Sequence, residues 1–92
     1  MLNELAKQTF EIAKARGFYP DYMTFKQLMR AMENESAEMA EAYYKNDFTG
    51  NPDSMDIELV DRLIVALSDC YYFGIDIDTI FKNKLEYNKT RI

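Results

Sequence analysis

Four acids stand in two pairs along this chain, Glu35 with Glu38 and Glu58 with Asp61. Residues three apart are neighbours on a helical surface, so each pair can direct two carboxylates toward one point. At about 100° per residue, Glu35 falls roughly 20° from Leu28, in the middle of an apolar stripe. An ionised side chain there is costly unless something compensates it. Four carboxylates from two helices would cage a hard divalent cation, Mg²⁺ or Mn²⁺, since both prefer oxygen ligands. Such a cation neutralises phosphate charge and polarises the phosphorus that water attacks. A second group, Lys84, Asn88 and Arg91, is spaced by four and three residues, so its members share a face of a last helix. They offer two cations and an amide to phosphate oxygens.

Each group also has a plainer reading. Acids three apart are common as solvated surface residues, and a buried ion pair with Lys or Arg would account for Glu35 without a metal. Lys84 and Arg91 could simply complement the negative end of the last helix's dipole. The chain has no histidine and one cysteine, Cys70, which excludes a disulfide, the usual zinc sites and a histidine general base.

Ninety-two residues make one domain, 1–92. A chain this short buries proportionally little surface, so both oligomerisation and a bound metal are expected to support it. The formal net charge of −5 and pI near 4.6 argue against duplex nucleic acid, which binds through clustered Lys and Arg. The segment MLNELAKQTF lacks the basic region and apolar core of a signal peptide, and no apolar run is long enough to span a membrane. A soluble, cytoplasmic setting is the expectation.

The elements that must position these residues are four helices. The first is expected over about Asn3–Arg16, with Leu5, Ala6, Phe10, Ile12 and Ala13 at helical spacing and Gly17 as a stop. An aromatic connection, residues 18–22, follows. The second begins at a capping box of Thr24 and Gln27, with Met23 and Leu28 as a staple. Leu28, Met32 and Met39 line one face, widened by Phe25 and Met29, and Glu38 lies between the small residues Ala31 and Ala42. Residues 45–53 (KNDFTGNPD) are a loop.

Asp53 or Ser54 caps the third helix, which runs to about Phe73 and stops at Gly74. It is apolar on two sides: Leu59, Leu63, Leu67 and Cys70 form one stripe, and Val65 and Tyr72 lie near the opposite face beside Glu58 and Asp61. A helix apolar nearly all round is usually buried on both sides, which implies a subunit interface here. The fourth helix follows an Asp76 cap and carries Ile77, Ile80, Phe81 and Leu85 inward. Cys70 is expected to be a buried, inert thiol. Tyr43, Tyr44 and the run Tyr71–Phe73 are expected in core or interface.

The Glu-x-x-Glu of ENESAEMAEAY, the Glu-x-x-Asp of IELVDRLIVAL and the tail GIDIDTIFKNKLEYNKTRI together resemble the MazG family. That family is the all-α branch of nucleoside triphosphate pyrophosphohydrolases. The resemblance covers roughly Thr24 to Ile92 and rests on two acid pairs separated by a loop, followed by Lys-x-x-x-Asn-x-x-Arg. It implies an all-α, four-helix MazG-type module whose helices pair across a homo-dimer or homo-tetramer interface. It also implies Mg²⁺-dependent hydrolysis of an NTP or dNTP to monophosphate and pyrophosphate, a house-cleaning of the nucleotide pool. Glu35, Glu38, Glu58 and Asp61 would then be metal ligands, with Glu35 or Glu38 also orienting water, and Lys84, Asn88 and Arg91 would bind the triphosphate. Phe18 and Tyr22 are candidates near the base, in a segment that does not align residue by residue. The alternative is a non-catalytic helical interaction module that retains the fold.

Overall fold

The structure is a computed structural model that describes residues 1–19, 25–45 and 54–91. These form four helices, α1 (Leu2–Ala15), α2 (Phe25–Tyr44), α3 (Met55–Tyr72) and α4 (Ile77–Lys89), with no strand among the described residues. The all-α expectation holds. Thr24, Met23, Tyr22 and Asp53, and most of the 45–53 loop, lie outside the described residues.

Helix α3 is the centre of the arrangement: α1 and α2 both pack against it, while α4 packs against α1. Gly17 (φ +81°) and Gly74 (φ +70°) end the flanking helices in the left-handed region, which glycine enters without a Cβ clash. In helix α1 the inward side is narrower than its periodicity suggests. Ala6 is buried and Phe10 and Ala13 are half-buried, whereas Leu5 and Ile12 are exposed. Phe10 packs its ring 4.8 Å from Tyr19 and 5.0 Å from Tyr71, and Tyr19 stacks on Tyr72 at 5.4 Å. This aromatic cluster is what fastens α1 to α3.

The two-sided character of α3 takes a definite form. Its buried side consists of Glu58, Ser68 and Asp69, with Asp61, Val65 and Tyr72 half-buried. The leucine stripe opposite is largely bare: Leu59 and Leu63 are exposed, and Leu67 and Cys70 are half-buried. Within one chain, therefore, α3 turns its acids inward and its leucines outward. Cys70 is half-buried rather than enclosed, though burial still raises its thiol pKa.

Helix α4 departs from its sequence pattern more strongly. Ile77 is buried, but Ile80, Phe81 and Leu85 are 55, 51 and 50 % exposed, so the expected inward face is bare beyond its first residue. The reason is connectivity: α4 is tied to α1 at its beginning and then leaves the bundle. Asp76 caps α4 as expected, accepting from the Thr79 backbone N–H at 3.3 Å and its hydroxyl at 2.8 Å. Asn3 joins that cap, donating to Asp76 at 2.8 Å and accepting from the Ile77 N–H at 2.7 Å. In return, Asp78 accepts the Leu2 N–H of α1 at 2.7 Å. Two helix N-termini thus cap each other. Ser54 occupies the N-cap position of α3 without a side-chain cap bond; its hydroxyl pairs with Asp56 instead.

Candidate metal centre

Helices α2 and α3 bring three of the four acids to one place, with Asp61 beside them. Carboxylate oxygens of Glu35, Glu38 and Glu58 all lie within 4.8 Å of one another. Asp61 adjoins them, since its charge acts on both Glu35 and Glu58. The local reason is the one visible in the sequence: three-residue spacing puts each pair on one helix face, and the packing of α2 on α3 turns the two faces together.

The electrostatics of this cluster are unfavourable as it stands. Glu58 is 5 % exposed and its pKa is pushed up to about 7, first by burial, then by hydrogen bonding to Glu38 and by the charges of Glu38, Asp61 and Glu35. Glu35 is also shifted upward, by burial and by the charges of Glu38 and Asp61. One oxygen each of Glu35 and Glu58 is buried without a hydrogen-bond partner. The ion pair that could have explained Glu35 is absent among the described residues, whose ion pairs lie elsewhere. Buried carboxylate oxygens with no donor among several like charges are costly, and oxygen ligands of this kind are ones a hard cation could use.

Two cavities reach the cluster. One, of about 320 Å³, is lined by Glu38, Glu41, Ala42, Lys45 and Glu58, with Lys45 held in a 3.0 Å ion pair to Glu41. The other, of about 340 Å³, runs from Glu35 and Asp61 past Ile64, Val65 and Ser68 to Arg16, Phe18 and Tyr19. Its far wall is stiffened by a buried hydrogen bond, in which the Tyr19 hydroxyl donates to Asp69 at 2.6 Å. Burial and the neighbouring carboxylate hold the Tyr19 hydroxyl well above its ordinary pKa, so it remains a donor. Tyr19, Asp69 and Arg16 were not singled out by spacing alone. The available signal was that Asp69 follows Asp61 by eight residues, on the same inward side of α3.

Lys84 and Asn88 lie on the exposed end of α4, whereas Arg91 falls just past its Thr90 C-cap and so not on the helix face the sequence predicts; none of the three lines the cavities at the acids of their own chain. Lys84 and Arg91 flank the Tyr87 ring at 4.8 and 5.6 Å. No helix among the described residues is long and apolar enough to cross a membrane. Comparison with protein-family models, with curated proteins and with solved structures found no match.

Proposed function

We propose that the chain is a Mg²⁺-dependent nucleoside triphosphate pyrophosphohydrolase of MazG-like type, acting as a homo-oligomer. The observation that carries this reading is the convergence of Glu35, Glu38 and Glu58 within 4.8 Å, with a nine-tenths buried Glu58 oxygen left unpartnered. These residues fit a divalent cation, with Asp61 completing the set. When bound, the cation would neutralise phosphate charge and polarise the attacked phosphoryl group.

The chain's own residues supply the rest. Glu35 and Glu38 border separate cavities, so either can orient a water and accept its proton. A bond then forms from that water to the α-phosphorus, and the bond to the bridging oxygen breaks, releasing pyrophosphate and leaving the monophosphate. Lys84, Asn88 and Arg91 would hold the triphosphate oxygens. The cavity walled by Phe18 and Tyr19 combines these aromatics with Ile64 and Val65 and with the polar Arg16, Glu35, Asp61 and Ser68, and its aromatic end would take the nucleoside.

The direct test is pyrophosphate release from a panel of natural and modified NTPs and dNTPs in Mg²⁺. Release from at least one is expected, and Glu38→Gln is expected to abolish it. Undiminished turnover by that variant would remove the acids from the reaction. The distance of α4 from the acids in one chain favours a second reading, a non-catalytic interaction module. That reading predicts no thermal shift with Mg²⁺ and a nonhydrolysable nucleotide, because a ligand that binds the native state must raise the midpoint.

A further inference from the structure

Ser68 carries a buried polar group that the acid cluster does not explain. It sits on the inward side of α3, is only 2 % exposed, and its hydroxyl has no hydrogen-bond partner. The hydroxyl lies beside the Tyr19 oxygen, near enough to act on the Tyr19 proton, yet the two are not in hydrogen-bond geometry. A hydroxyl withdrawn from water and left unpaired is costly. Glu35 and Glu58 hold the other unpaired buried oxygens among the described residues, and a cation would satisfy both. Ser68 needs a different partner.

Its position says which part of a nucleotide could be that partner. Ser68 lines the 340 Å³ cavity that begins at Glu35 and Asp61. It follows Asp61 by seven residues of α3, about 10 Å along the axis at 1.5 Å per residue. From an α-phosphate held at the acids, that distance passes the sugar and reaches the edge of the base. The side chains between, Ile64 and Val65, offer no polar atom. Phe18, 49 % exposed, has an open ring on which a base can stack, whereas Tyr19 is 5 % exposed and packed against Phe10 and Tyr72. A base on Phe18 would turn a polar edge toward Ser68.

The donors and acceptors at this end select the kind of edge. The Tyr19 hydrogen is committed to Asp69, and Asp69 does not line the cavity. Arg16 does line it, makes no ion pair among the described residues, and its guanidinium only donates. Ser68 can donate or accept. The end away from Glu35 and Asp61 therefore presents a cation and an unpaired hydroxyl, with no carboxylate among the described residues that line it. A carbonyl oxygen suits both groups. An exocyclic amino group would set its own N–H donors against those of Arg16.

We propose that Ser68 is a specificity-determining residue whose hydroxyl donates to a carbonyl oxygen on the nucleobase edge, with Arg16 favouring the same group. The site then prefers keto bases, such as uracil or hypoxanthine, over the amino bases cytosine and adenine. That a nucleotide enters the cavity rests on the function proposed above; the choice among bases rests on Ser68 and Arg16.

The test compares substrates that differ at this group: dUTP with dCTP, and dITP with dATP. In Mg²⁺, kcat/KM is expected to favour the keto member of at least one pair. Ser68→Ala should cut that ratio about tenfold, the order one hydrogen bond supplies, mainly by raising KM for the keto substrate. Arg16→Gln, at an exposed position, should cut it in the same direction. Ser68→Ala should melt no lower than wild type, because alanine suits a helix and the unpaired hydroxyl is gone. A marked fall in the midpoint would reveal a partner within the chain and overturn the assignment. So would an unchanged ratio in Ser68→Ala, or a wild type without keto preference. Titration of metal-free protein with deoxyuridine and deoxycytidine, followed by amide chemical shifts, reads the preference without turnover. Tighter deoxyuridine binding that Ser68→Ala loses, in a protein that hydrolyses no triphosphate, would sink the catalytic reading and leave the base contact. Hydrolysis without base preference would do the reverse, and neither hydrolysis nor nucleoside binding would sink both.

Discussion

The Tyr19 hydroxyl reaches Asp69 Oδ1 across 50 positions of sequence and donates a buried hydrogen bond of 2.6 Å. It joins the segment after α1 to the last turn of α3 and closes the wall of the cavity that leads to Glu35 and Asp61. Burial alone would raise the Asp69 pKa; the Tyr19 bond acts against that rise. Removing the donor leaves a buried carboxylate without it, a change that typically costs about 1–3 kcal/mol. Tyr19→Phe is therefore expected to lower stability by that order in urea unfolding. Adding Asp69→Leu to Tyr19→Phe should recover part of the loss, since the unpaired polar group is then gone. Equal stability of Tyr19→Phe and wild type would show that the bond contributes nothing net.

The acid cluster predicts an inverted pH dependence. The Glu58 pKa is raised from 4.5 to about 7 in the folded chain, so the native state binds a proton that the unfolded state has already released. Stability without metal should then fall as pH rises from about 4.5 through 7, because the unfolded state binds fewer protons across that window. Glu58→Gln mimics the protonated form and should flatten this part of the profile. Denaturation midpoints measured in EDTA at pH 5 and 7.5 would show it. A wild-type midpoint that rises across this window would contradict the like-charge cluster.

Millimolar Mg²⁺ should raise the thermal midpoint at pH 7.5, since binding only to the native state stabilises by mass action. If the acids hold the cation as proposed, Glu58→Gln and Glu35→Gln should each lose most of that shift, as each would remove a carboxylate whose buried oxygen has no other partner. An unchanged shift in both variants would place the cation elsewhere.

Leu63 is 57 % exposed on α3. In an isolated monomer, replacing such a residue with a charge changes stability by less than about 0.5 kcal/mol. If the bare stripe is an interface, Leu63→Glu should instead shift the sedimentation profile toward the monomer and lower stability in a concentration-dependent way. A profile identical to wild type would exclude this stripe from any assembly.

Asn3 holds the first turn of α4 through Ile77 and Asp76. Loss of a cap of this kind typically costs about 1 kcal/mol. Asn3→Ala is expected to speed amide exchange in α4 beyond Ile77 while leaving α2 and α3 protected. Uniform exchange changes across all four helices would mean that α4 is not separately anchored.

The sequence by itself determined the number of helices and most of their ends. Periodicity, glycine stops and the Asp76 cap are local signals, set by backbone sterics and hydrogen bonds within a few residues. It also determined that Glu35 and Glu38 share one face and Glu58 and Asp61 another, because three-residue spacing on a helix allows nothing else. Only the tertiary structure decided that those faces meet, since the packing of α2 on α3 is a long-range choice. It also decided which side of α3 is covered within the chain: the acids, Ser68 and Asp69 turn inward and the leucines stay bare, although the leucine stripe is the more apolar. The fate of α4 was illegible for the same reason. Its spacing specifies an apolar face, but the direction given by the Asn3 and Asp78 caps leaves that face uncovered in one chain. Which surface buries a stripe depends on where chain connections allow elements to go, and hydrophobic pattern carries no record of that.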